Sequence, residues 1–594
     1  MWFLNDLGRL NREKAVVETL DETSIWLDGV QWQLDRSDMI INAEIVLADD
    51  KRFAVSLRFP DLYPSVPPSV RPREPELWST HQYGVIGDLC LELGPDNWHP
   101  DSHTAADMLR STYRLLTLEA DHDADSAVEI PSRHQLTDGQ VQRSQAFRWV
   151  LTPSARDALG SIPNGTTARC EMYLMYHEEV FTVFVVRIEQ LNGEDWIDVG
   201  IPVGLKRLGR TAKAVVIGGQ QGALRMAGLG EAAEVTALLA QHTIPAPKDE
   251  IEDANVDKIE FVIVNGLGDQ WYAYMRWHDC ERISVYSTLN ADVAPPDIRL
   301  GFDREALGGV KVAIVGLGSA GSKIATSLAR AGVGHFVLLD DDLLHPCNLV
   351  RHDSDWFEVG QHKVDAVADR LMLINPNANV IRRKHRLNGQ ESTASAAGAL
   401  TALGQADVII DATANPTVFS LCAHVARHSK KSLVWLEIYA GGIGGLVARA
   451  RPDKDAEPFT LREAINASAT DIATTQGVEP PDGAGDYGAV DAGDNVVIAS
   501  DADVTIIAGI ATQMALDTLL AREPSHYPYP AYLVGLSRGW IFEQPFHTIP
   551  IACTAPVDWS TIVDTDKATR TQAAAFIVQL LEEQAAHAET ATSN

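Results

Sequence analysis

The spacing of apolar and polar residues changes several times along the chain, and each change predicts a different element. Residues 1–20 place apolar residues at helical spacing among charges, which predicts an amphipathic first helix. Residues 24–59 contain three runs rich in β-branched and aromatic residues, which predict a meander of strands. The segment FPDLYPSVPPSV, residues 59–70, predicts an ordered loop, because its four prolines exclude a helix or a central strand. Helical spacing returns over 104–120, and the acidic stretch 121–129 predicts a linker.

The middle of the chain, residues 150–300, predicts mainly strands. One helix is predicted at 223–241 and a linker at 242–255. No cluster of chemically active residues stands out here. Four cysteine and histidine residues in this region are interpreted as packing or strand-end residues: Cys170, Cys280, His177 and His278.

The pattern changes again after residue 308. Over 308–450, continuously apolar strands alternate with helices, which predicts a doubly wound parallel sheet. Residues 460–500, rich in Gly, Asp, Ala and Thr, predict a long loop. A helix near 503–521 and a last pair of strands are predicted to follow. The tail, 567–594, is predicted to begin as a helix and to end disordered.

Length, charge and cysteine content limit the possible functions. At about 100–200 residues per domain, 594 residues predict about three to five units. The net charge of −32, with no block of five basic residues, disfavours binding to nucleic acid or to anionic membranes. The six cysteines are widely spaced without a CxxC pair, which disfavours a disulfide framework and a structural zinc site. Without a transmembrane run or a signal-peptide pattern, a cytoplasmic protein is expected.

A glycine pattern predicts a nucleotide site. In AIVGLGSAGSKIATSLARAGVGHFVLLDDD, Gly316, Gly318 and Gly321 lie between a predicted strand and a predicted helix. Their missing side chains allow a tight turn and let the backbone approach a phosphate at the helix N-terminus. Asp340 ends the next strand, nineteen residues after Gly321 (340 − 321), where a carboxylate accepts hydrogen bonds from ribose hydroxyls. This context predicts an adenine nucleotide without specifying which one.

Polar and basic residues follow this strand. Asn348, Arg351 and Lys363 lie within fifteen positions (363 − 348). A triphosphate that loses pyrophosphate needs more positive donors than a dinucleotide does. The order GLGSAGS…LLDDD…NLVR…GQHK…DAT resembles the ThiF/MoeB-type adenylating enzymes, which include ubiquitin-activating enzymes, over roughly residues 300–555.

The resemblance implies a role for each of these residues. The three glycines would line the phosphates of ATP, Asp340 would hold the ribose, and Asn348, Arg351 and Lys363 would contact the triphosphate. Asp411 would lie near Mg²⁺, although the family's second acidic residue, three positions on, is Ala414 here. Family members are dimers, and Arg299 or Arg304 would reach the partner's site.

Adenylation would be followed by transfer to a thiol. A C-terminal carboxylate is a poor electrophile, and attack on the α-phosphate of ATP converts it into an acyl adenylate that a thiolate can attack. Family members often carry this cysteine in the loop after the fifth strand, but residues 460–500 contain none. Cys347, Cys422 and Cys553 remain, and Cys553 is favoured because it follows the last predicted strand on a loop bounded by prolines.

A second cysteine has its own sequence context. Phe59 to Pro68 fit FPxxYPxxPP, and Cys90 follows in GDLCL, with Trp98 and Pro100 just beyond. This order resembles ubiquitin-conjugating enzymes over residues 1–120 and implies that Cys90 receives the acyl group. The family's HPN motif reads HQY here, so its asparagine is missing. The three residues in place of the motif are His81, Gln82 and Tyr83. The asparagine would be replaced by Tyr83, Asn97, His99 or His103, or the mechanism would differ.

The expected fold class is α/β. An N-terminal α+β ubiquitin-conjugating-like domain is expected at 1–125 and an α/β middle region without an assigned role at 145–295. A C-terminal doubly wound, Rossmann-like ThiF adenylation domain with the thioester cysteine is expected at 300–560. The tail at 561–594 is expected to be helical and then disordered.

The two modules together resemble the fusions of bacterial CBASS anti-phage systems. The resemblance implies that the chain uses ATP and Mg²⁺ to join the C-terminal glycine of a cGAS-like nucleotidyltransferase to a target amine, as a homodimer, without nucleic acid or membrane. A bacterial ubiquitin-like protein is the alternative substrate. Three other hypotheses are an NAD-dependent oxidoreductase, a scaffold whose conjugating-like module binds partners, and a sulfur-carrier adenylase.

Overall fold

The chain forms two compact units, Met1–Ala146 and Phe147–Asn594. No helix in the part of the chain described below is long and apolar enough to cross a bilayer. The predicted linkers, the predicted helix at 223–241, and Cys280, His278 and Arg299 lie outside the described residues. The computed structural model describes residues 1–76, 78, 82–83, 87–120, 146–178, 180–220, 260–265, 271–276, 283–290, 304–387, 392–479, 483–484, 488–490, 496–554, 559 and 567–592.

The first unit is an antiparallel four-stranded sheet, in the order β1-β2-β3-β4, with helices before and after it. The predicted meander and the predicted helices at its two ends are confirmed. Apolar residues of the strands and of α2 and α3 form one buried core. The elements are α1 (Trp2–Asn5), α2 (Leu7–Thr23), β1 (Leu27–Asp35), β2 (Asp38–Val46), β3 (Arg52–Arg58), β4 (Ser69–Pro72), β5 (Gln82–Tyr83), β6 (Asp88–Leu89) and α3 (Ala105–Ala120).

A buried polar network fixes the proline-rich loop of this unit. The Tyr63 hydroxyl donates to Glu13 Oε1 at 2.5 Å, and Arg9 Nη2 donates to the Tyr63 oxygen at 2.6 Å. Glu13 Oε2 also accepts from the backbone N–H of Ala105, the first residue of α3, at 2.8 Å. Because Glu13 is fully buried, each of its hydrogen bonds replaces one that water would supply. The loop, α2 and the start of α3 are therefore held together through one carboxylate.

The middle region is a closed barrel of seven strands. The pairings run β9-β7-β14-β13-β12-β11-β8 and return from β8 to β9, and β10 extends the second half of β9. Trp149, Phe261 and Tyr286 are fully buried in its core. The predicted strands of this region are confirmed where they are described. The elements are β7 (Phe147–Leu151), α4 (Pro153–Gly160), β8 (Thr167–His177), β9 (Val180–Leu191), β10 (Glu194–Ile197), β11 (Gly209–Gln220), β12 (Phe261–Asn265), β13 (Trp271–Arg276) and β14 (Ile283–Asn290).

The C-terminal region contains an eight-stranded sheet in the order β17-β16-β15-β18-β19-β20-β24-β25. Its first five strands are parallel and the others antiparallel. Helices α5, α6 and α10 cover one face and α7, α8 and α9 the other, each over its own apolar core. The predicted doubly wound sheet is confirmed.

The strands of this region are β15 (Lys311–Val315), β16 (His335–Leu339), β17 (Asn379–Arg383), β18 (Val408–Asp411), β19 (Ser432–Tyr439), β20 (Gly444–Ala450), β21 (Gly483–Ala484), β22 (Gly488–Val490), β23 (Val496–Ile498), β24 (Ala531–Gly535) and β25 (Thr548–Ile551). Its helices are α5 (Ser319–Ala331), α6 (Lys363–Ile374), α7 (Thr393–Gly404), α8 (Pro416–Ser429), α9 (Pro458–Gln476), α10 (Asp501–Leu519) and α11 (Lys567–Thr592).

One prediction for this region is wrong. The stretch predicted as a loop from residue 460 begins as helix α9, which has a strong start signal and a strong stop signal. Glu457 accepts from the backbone N–H of Thr460 at 2.9 Å, and Gly477 ends the helix in a left-handed conformation. Leu461 and Ile465 bury its inner face. In the tail, the predicted helix is helix α11, which runs to Thr592, and the predicted disorder at its end remains a prediction.

Candidate active site

The glycine turn between β15 and α5 depends on missing side chains. Gly316 has φ = +83°, and a β-carbon on it would lie 2.6 Å from the side chain of Thr413. A β-carbon on Gly321 would lie 1.9 Å from the carbonyl oxygen of Gly316. Real β-carbons do not approach other atoms so closely, so only glycine permits this turn and this packing of the helix against it.

Gly318 differs from the other two glycines. A β-carbon placed on it would meet no protein atom within 4 Å. Gly318 is also the N-cap of α5, and no side chain caps this helix end. The first backbone N–H groups of a helix carry a partial positive charge and bind anions. The open space at Gly318 therefore lies at an anion-binding helix end.

A cavity of about 450 Å³ lies in front of this turn, at the carboxyl ends of the parallel strands. Ligands of open α/β sheets bind at this edge. Four of the predicted nucleotide residues line the cavity together: Gly316, Gly318, Asp340 and Lys363. Gly321 packs behind the turn, and its role is steric. The nucleotide-binding roles of these residues remain predictions.

Asp340 is fixed by the backbone on both sides. Its Oδ2 accepts from Leu317 N–H at 2.7 Å and its Oδ1 from Asp342 N–H at 2.8 Å. Burial raises the pKa of this carboxyl, and the two backbone hydrogen bonds oppose that shift. Each carboxylate oxygen has a second lone pair, so Asp340 can still accept from a ligand hydroxyl.

Two predicted triphosphate contacts, Asn348 and Arg351, are not among the described residues that line the cavity. Asn348 Oδ1 accepts from His345 N–H at 2.8 Å and starts the 3₁₀ helix Pro346–Val350, which ends at Arg351. The next residue, His352, contacts the glycine turn, with its Nε2 at 2.8 Å from the carbonyl oxygen of Leu317. The structure thus places a histidine against the turn, and the triphosphate contacts of Asn348 and Arg351 remain predictions.

Asp411 ends β18 and is almost fully buried. Its Oδ1 accepts from both Thr413 N–H, at 3.0 Å, and Thr413 Oγ1, at 2.6 Å. Burial raises its pKa to about 6, although the Thr413 hydrogen bonds oppose this shift. Within the described residues, no group of three His, Cys, Asp or Glu side chains is placed to hold a metal ion. The predicted metal role of Asp411 remains a prediction, and its present contacts fix the turn before α8.

The four candidate cysteines lie in different surroundings. Cys347 is exposed in the 3₁₀ helix, and Cys422 is buried in α8, where burial raises its pKa well above the ordinary value. Cys553 is half-buried two residues after β25 and packs against one of the two apolar cores. Cys90, in the first unit, is 1% exposed and directly follows β6. The thioester roles of Cys90 and Cys553 remain predictions.

The alternatives to the missing asparagine near Cys90 are largely occupied. Asn97 donates to Glu92 O at 2.8 Å and accepts from Gly94 N–H at 2.7 Å, so its amide holds the loop after Cys90. His103 Nδ1 accepts from His99 N–H at 3.0 Å. The Trp98 indole donates to Pro64 O at 2.6 Å, which joins this loop to the proline-rich segment. His81 and the side chain of Tyr83 lie outside the described residues.

Sequence reasoning missed several residues at this site. His385 and Arg386, just after β17, line the cavity, as do Asp342 and Asn415. A signal for the first two was available, since they lie at the end of a predicted strand of the parallel sheet and therefore at the ligand-binding edge. The predicted dimer residue Arg304 lies against Gly332 at the end of α5, where a β-carbon would be 2.4 Å from its side chain.

Comparison with known proteins assigns the C-terminal region. Residues 290–534 match the model of the ThiF family. The chain therefore contains a ThiF-family domain in its C-terminal region, and the resemblance predicted from the glycine and NLVR motifs is confirmed. The predicted ubiquitin-conjugating resemblance of residues 1–120 remains a prediction.

Three curated relatives align with parts of the chain. The ATP-dependent ubiquitin transferase-like protein Cap2 of Enterobacter hormaechei subsp. hoffmannii is 33% identical over 160 residues, 27% of this chain and 26% of the relative. Molybdopterin-synthase adenylyltransferase of Escherichia coli is 38% identical over 123 residues, 20% and 46% of the two chains. The uncharacterized protein y4oA of Sinorhizobium fredii is 31% identical over 156 residues, 25% and 26%. The chain thus spans between a quarter and a half of the length of these relatives.

Two solved structures align with about two-fifths of the chain. E. coli MccB with ATP has a TM-score of 0.31 and 16% identity over 42% of this chain and 66% of MccB. PaaA has a TM-score of 0.31 and 22% identity over 41% of this chain and 73% of PaaA.

Proposed function

We propose that the chain uses ATP to activate the C-terminal carboxylate of a protein substrate and then passes the acyl group through two cysteines to an amine. The observation that carries this proposal is the cavity at the glycine turn, which brings Gly318, Asp340 and Lys363 together inside the ThiF-family match. The substrate, the thioester steps and the conjugation are proposals.

The residues around the cavity fit ATP. Its volume of about 450 Å³ lies in the range of about 300–1,000 Å³ typical of ligand pockets. The α5 N-terminus at Gly318 and the Lys363 ammonium offer positive charge to phosphates, and Asp340 offers acceptors to the ribose. The cavity thus has a phosphate side and a sugar side.

The reaction needs two bond exchanges at the first site. A carboxylate oxygen of the substrate attacks the α-phosphorus of ATP, the bond from that phosphorus to the bridging oxygen breaks, and pyrophosphate leaves. A thiolate then attacks the acyl carbon, and AMP leaves with the electron pair of the mixed anhydride. Donors at Gly318 and Lys363 stabilise the negative charge that grows on the departing phosphates.

Mg²⁺ is compatible with this site as a partner of the triphosphate, because Mg²⁺ is often bound through one or two carboxylates plus substrate phosphates. Asp411 is the proposed protein ligand. Its Oδ1 is already engaged by Thr413, so only its other oxygen is available for a metal.

Cys553 is the proposed first thiol and Cys90 the proposed second. Cys553 lies just past the last strand of the ThiF-type sheet. Along the sequence, Cys90 lies between the proline-rich loop and Trp98. The Trp98 indole donates to the carbonyl oxygen of Pro64 in that loop. The Cys90 thiolate would attack the thioester on Cys553 and release the Cys553 thiolate. A target amine would then attack the thioester on Cys90, lose a proton and release the Cys90 thiolate as the amide forms.

The name of one relative, an ATP-dependent ubiquitin transferase-like protein, supports protein conjugation. We propose a cGAS-like nucleotidyltransferase ending in glycine as the substrate, in antiphage defence, within a cytoplasmic homodimer. A bacterial ubiquitin-like protein is the second candidate substrate. Another relative is a molybdopterin-synthase adenylyltransferase, but a sulfur-carrier adenylase would have no use for the Cys90 unit.

The test is a trapped intermediate in the full chain. With ATP and a cGAS-like nucleotidyltransferase ending in glycine, we expect ATP–pyrophosphate exchange and an adduct that dithiothreitol removes. Cys553→Ala should keep the exchange and lose all adduct, and Cys90→Ala should keep the adduct on Cys553 but lose the amide product. Cys170→Ala, in the barrel core, is the matched control. Adducts unchanged in both variants would refute the thioester relay, and absent exchange in the wild type would refute adenylation.

A further inference from the structure

Both backbone polar groups of Leu317 form hydrogen bonds to side chains. The Leu317 N–H donates to Asp340 Oδ2 at 2.7 Å, and the Leu317 carbonyl oxygen lies 2.8 Å from His352 Nε2. His352 comes from a different part of the chain, the segment after the 3₁₀ helix. The glycine turn is thus bound by a side chain that does not line the cavity.

The hydrogen bonds of His352 define its tautomer. Its Nδ1 accepts from Ser354 N–H at 3.1 Å, so in the neutral ring the proton resides on Nε2, which donates to Leu317 O. Burial lowers the pKa of His352 to about 4, so the ring is neutral at neutral pH. The imidazole therefore acts as a fixed bridge between the backbone of residue 354 and that of residue 317.

A second hydrogen bond holds this bridge in place. The backbone N–H of Asp353 donates to Ser322 Oγ at 3.2 Å, and Ser322 is fully buried in the first turn of α5. The segment around His352 is therefore attached both to the turn and to the helix that follows it. A ring held in this way fixes the direction of the carbonyl group that it contacts.

The Leu317 carbonyl and the Gly318 N–H belong to one planar peptide group, so fixing the direction of the carbonyl also fixes the direction of the N–H. In a trans peptide, the carbonyl oxygen of one residue and the N–H of the next point in opposite directions. The Leu317 oxygen points to the buried His352, and Gly318, on the other side of the same peptide, lines the cavity with open space at its α-carbon.

We propose that His352 is a positioning residue for the nucleotide: by holding the Leu317 carbonyl, it directs the Gly318 N–H into the cavity as a hydrogen-bond donor to a phosphate. This inference rests on the proposed function, since it takes the phosphates of ATP as the acceptor. It assigns a role to a residue outside the glycine motif and outside the basic cluster.

The experiment replaces His352 in the full chain by glutamine or by asparagine, two amide side chains of different length. The Nε2 of glutamine can take the place of His352 Nε2, whereas asparagine is one methylene shorter and does not reach Leu317 O. We expect His352→Asn to weaken ATP binding about tenfold in calorimetry, with adenosine binding changed less than twofold, and His352→Gln to stay within about threefold of the wild type for both ligands. Ser354→Ala, which removes a neighbouring buried hydroxyl but keeps the backbone N–H, is the control and should leave both affinities unchanged.

The comparison of ligands separates positioning from general damage. Equal loss of ATP and adenosine binding in His352→Asn, or full ATP affinity in that variant, would overturn the inference. If His352→Asn does not fold, as judged from its melting curve, His352→Phe keeps the ring volume without the donor and must show the same selective loss of ATP binding. A wild type that binds neither ATP nor adenosine would refute the proposed function itself.

Discussion

The ammonium group of Lys363 lies 2.5 Å from Asp342 Oδ2 at the wall of the cavity in front of the glycine turn. Burial raises the pKa of Asp342, but the hydrogen bond and the charge of Lys363 outweigh burial and hold that pKa below its usual value. Lys363 is also the first residue of α6, and its backbone N–H donates to Asp342 O at 3.0 Å. The lysine is therefore a charged donor of fixed position.

Replacing Lys363 by methionine removes this donor while keeping the length of the side chain. A hydrogen bond to a charged group contributes about 1.5–3 kcal/mol, so we expect the Kd for ATP to rise about tenfold or more. Asp342→Asn, which leaves the lysine charged, should change the Kd less than threefold. Calorimetric titration with ATP measures both. Equal losses in the two variants would show that the pair acts as a structural unit.

Arg449 in β20 and Asp517 in α10 form a fully buried ion pair, with Nη1 and Oδ2 2.7 Å apart. Arg449→Met would leave Asp517 buried without its cation, which costs about 3–5 kcal/mol. We expect a large decrease in the melting temperature of the C-terminal unit. Lys454→Ala, which breaks an exposed pair with Glu523, should leave the melting temperature nearly unchanged, because water and salt screen exposed charges. Similar melting curves for the two variants would contradict this prediction.

Ala414 has φ = +52°, a left-handed conformation in which an alanine costs about 1–2 kcal/mol. Ala414→Gly should therefore raise the free energy of unfolding, by about 1 kcal/mol after the entropy of the unfolded glycine is subtracted. The same exchange at exposed Ala397, inside α7, should lower it by about 1 kcal/mol. Urea unfolding of both variants measures whether the free energy of unfolding rises or falls. Destabilisation of both would show that the conformation at residue 414 carries no strain.

Stability should depend on pH through His352. Its pKa is about 4 in the folded chain, mainly because of burial, and about 6.5 when unfolded, so the unfolded state binds more protons between these values. The stability from neutral His352 is complete above about pH 6.5 and is lost as the pH falls toward 4. The difference in unfolding free energy between wild type and His352→Gln should shrink by about 1 kcal/mol from pH 7.5 to pH 6. An unchanged difference would mean that the ring does not titrate on unfolding.

The parts of the fold with strong local signals were predictable. The glycine turn depends on the missing side chains of Gly316 and Gly321, and the spacing of these two glycines is visible in the sequence. The parallel sheet followed from apolar strands alternating with helices. Helix α9 was missed because its composition suggested a loop, although its start at Glu457-Pro458 and its stop at Gly477 were visible.

The closure of the barrel was not predictable. It depends on β8 pairing with both β11 and β9, a choice set by long-range packing rather than by any local pattern. The role proposed for His352 had no local signal either, because its partner, Leu317, lies 35 positions away.

The internal position of β12 in the barrel also has a consequence for association between chains. Strand β12 reads FVIVN, with four consecutive fully buried apolar residues, and such a stretch readily pairs with copies of itself when it lies at the rim of an open sheet. Here β11 and β13 flank it on both sides. Because both edges of β12 are paired in this way, the folded barrel offers no free edge of this apolar strand to a second chain.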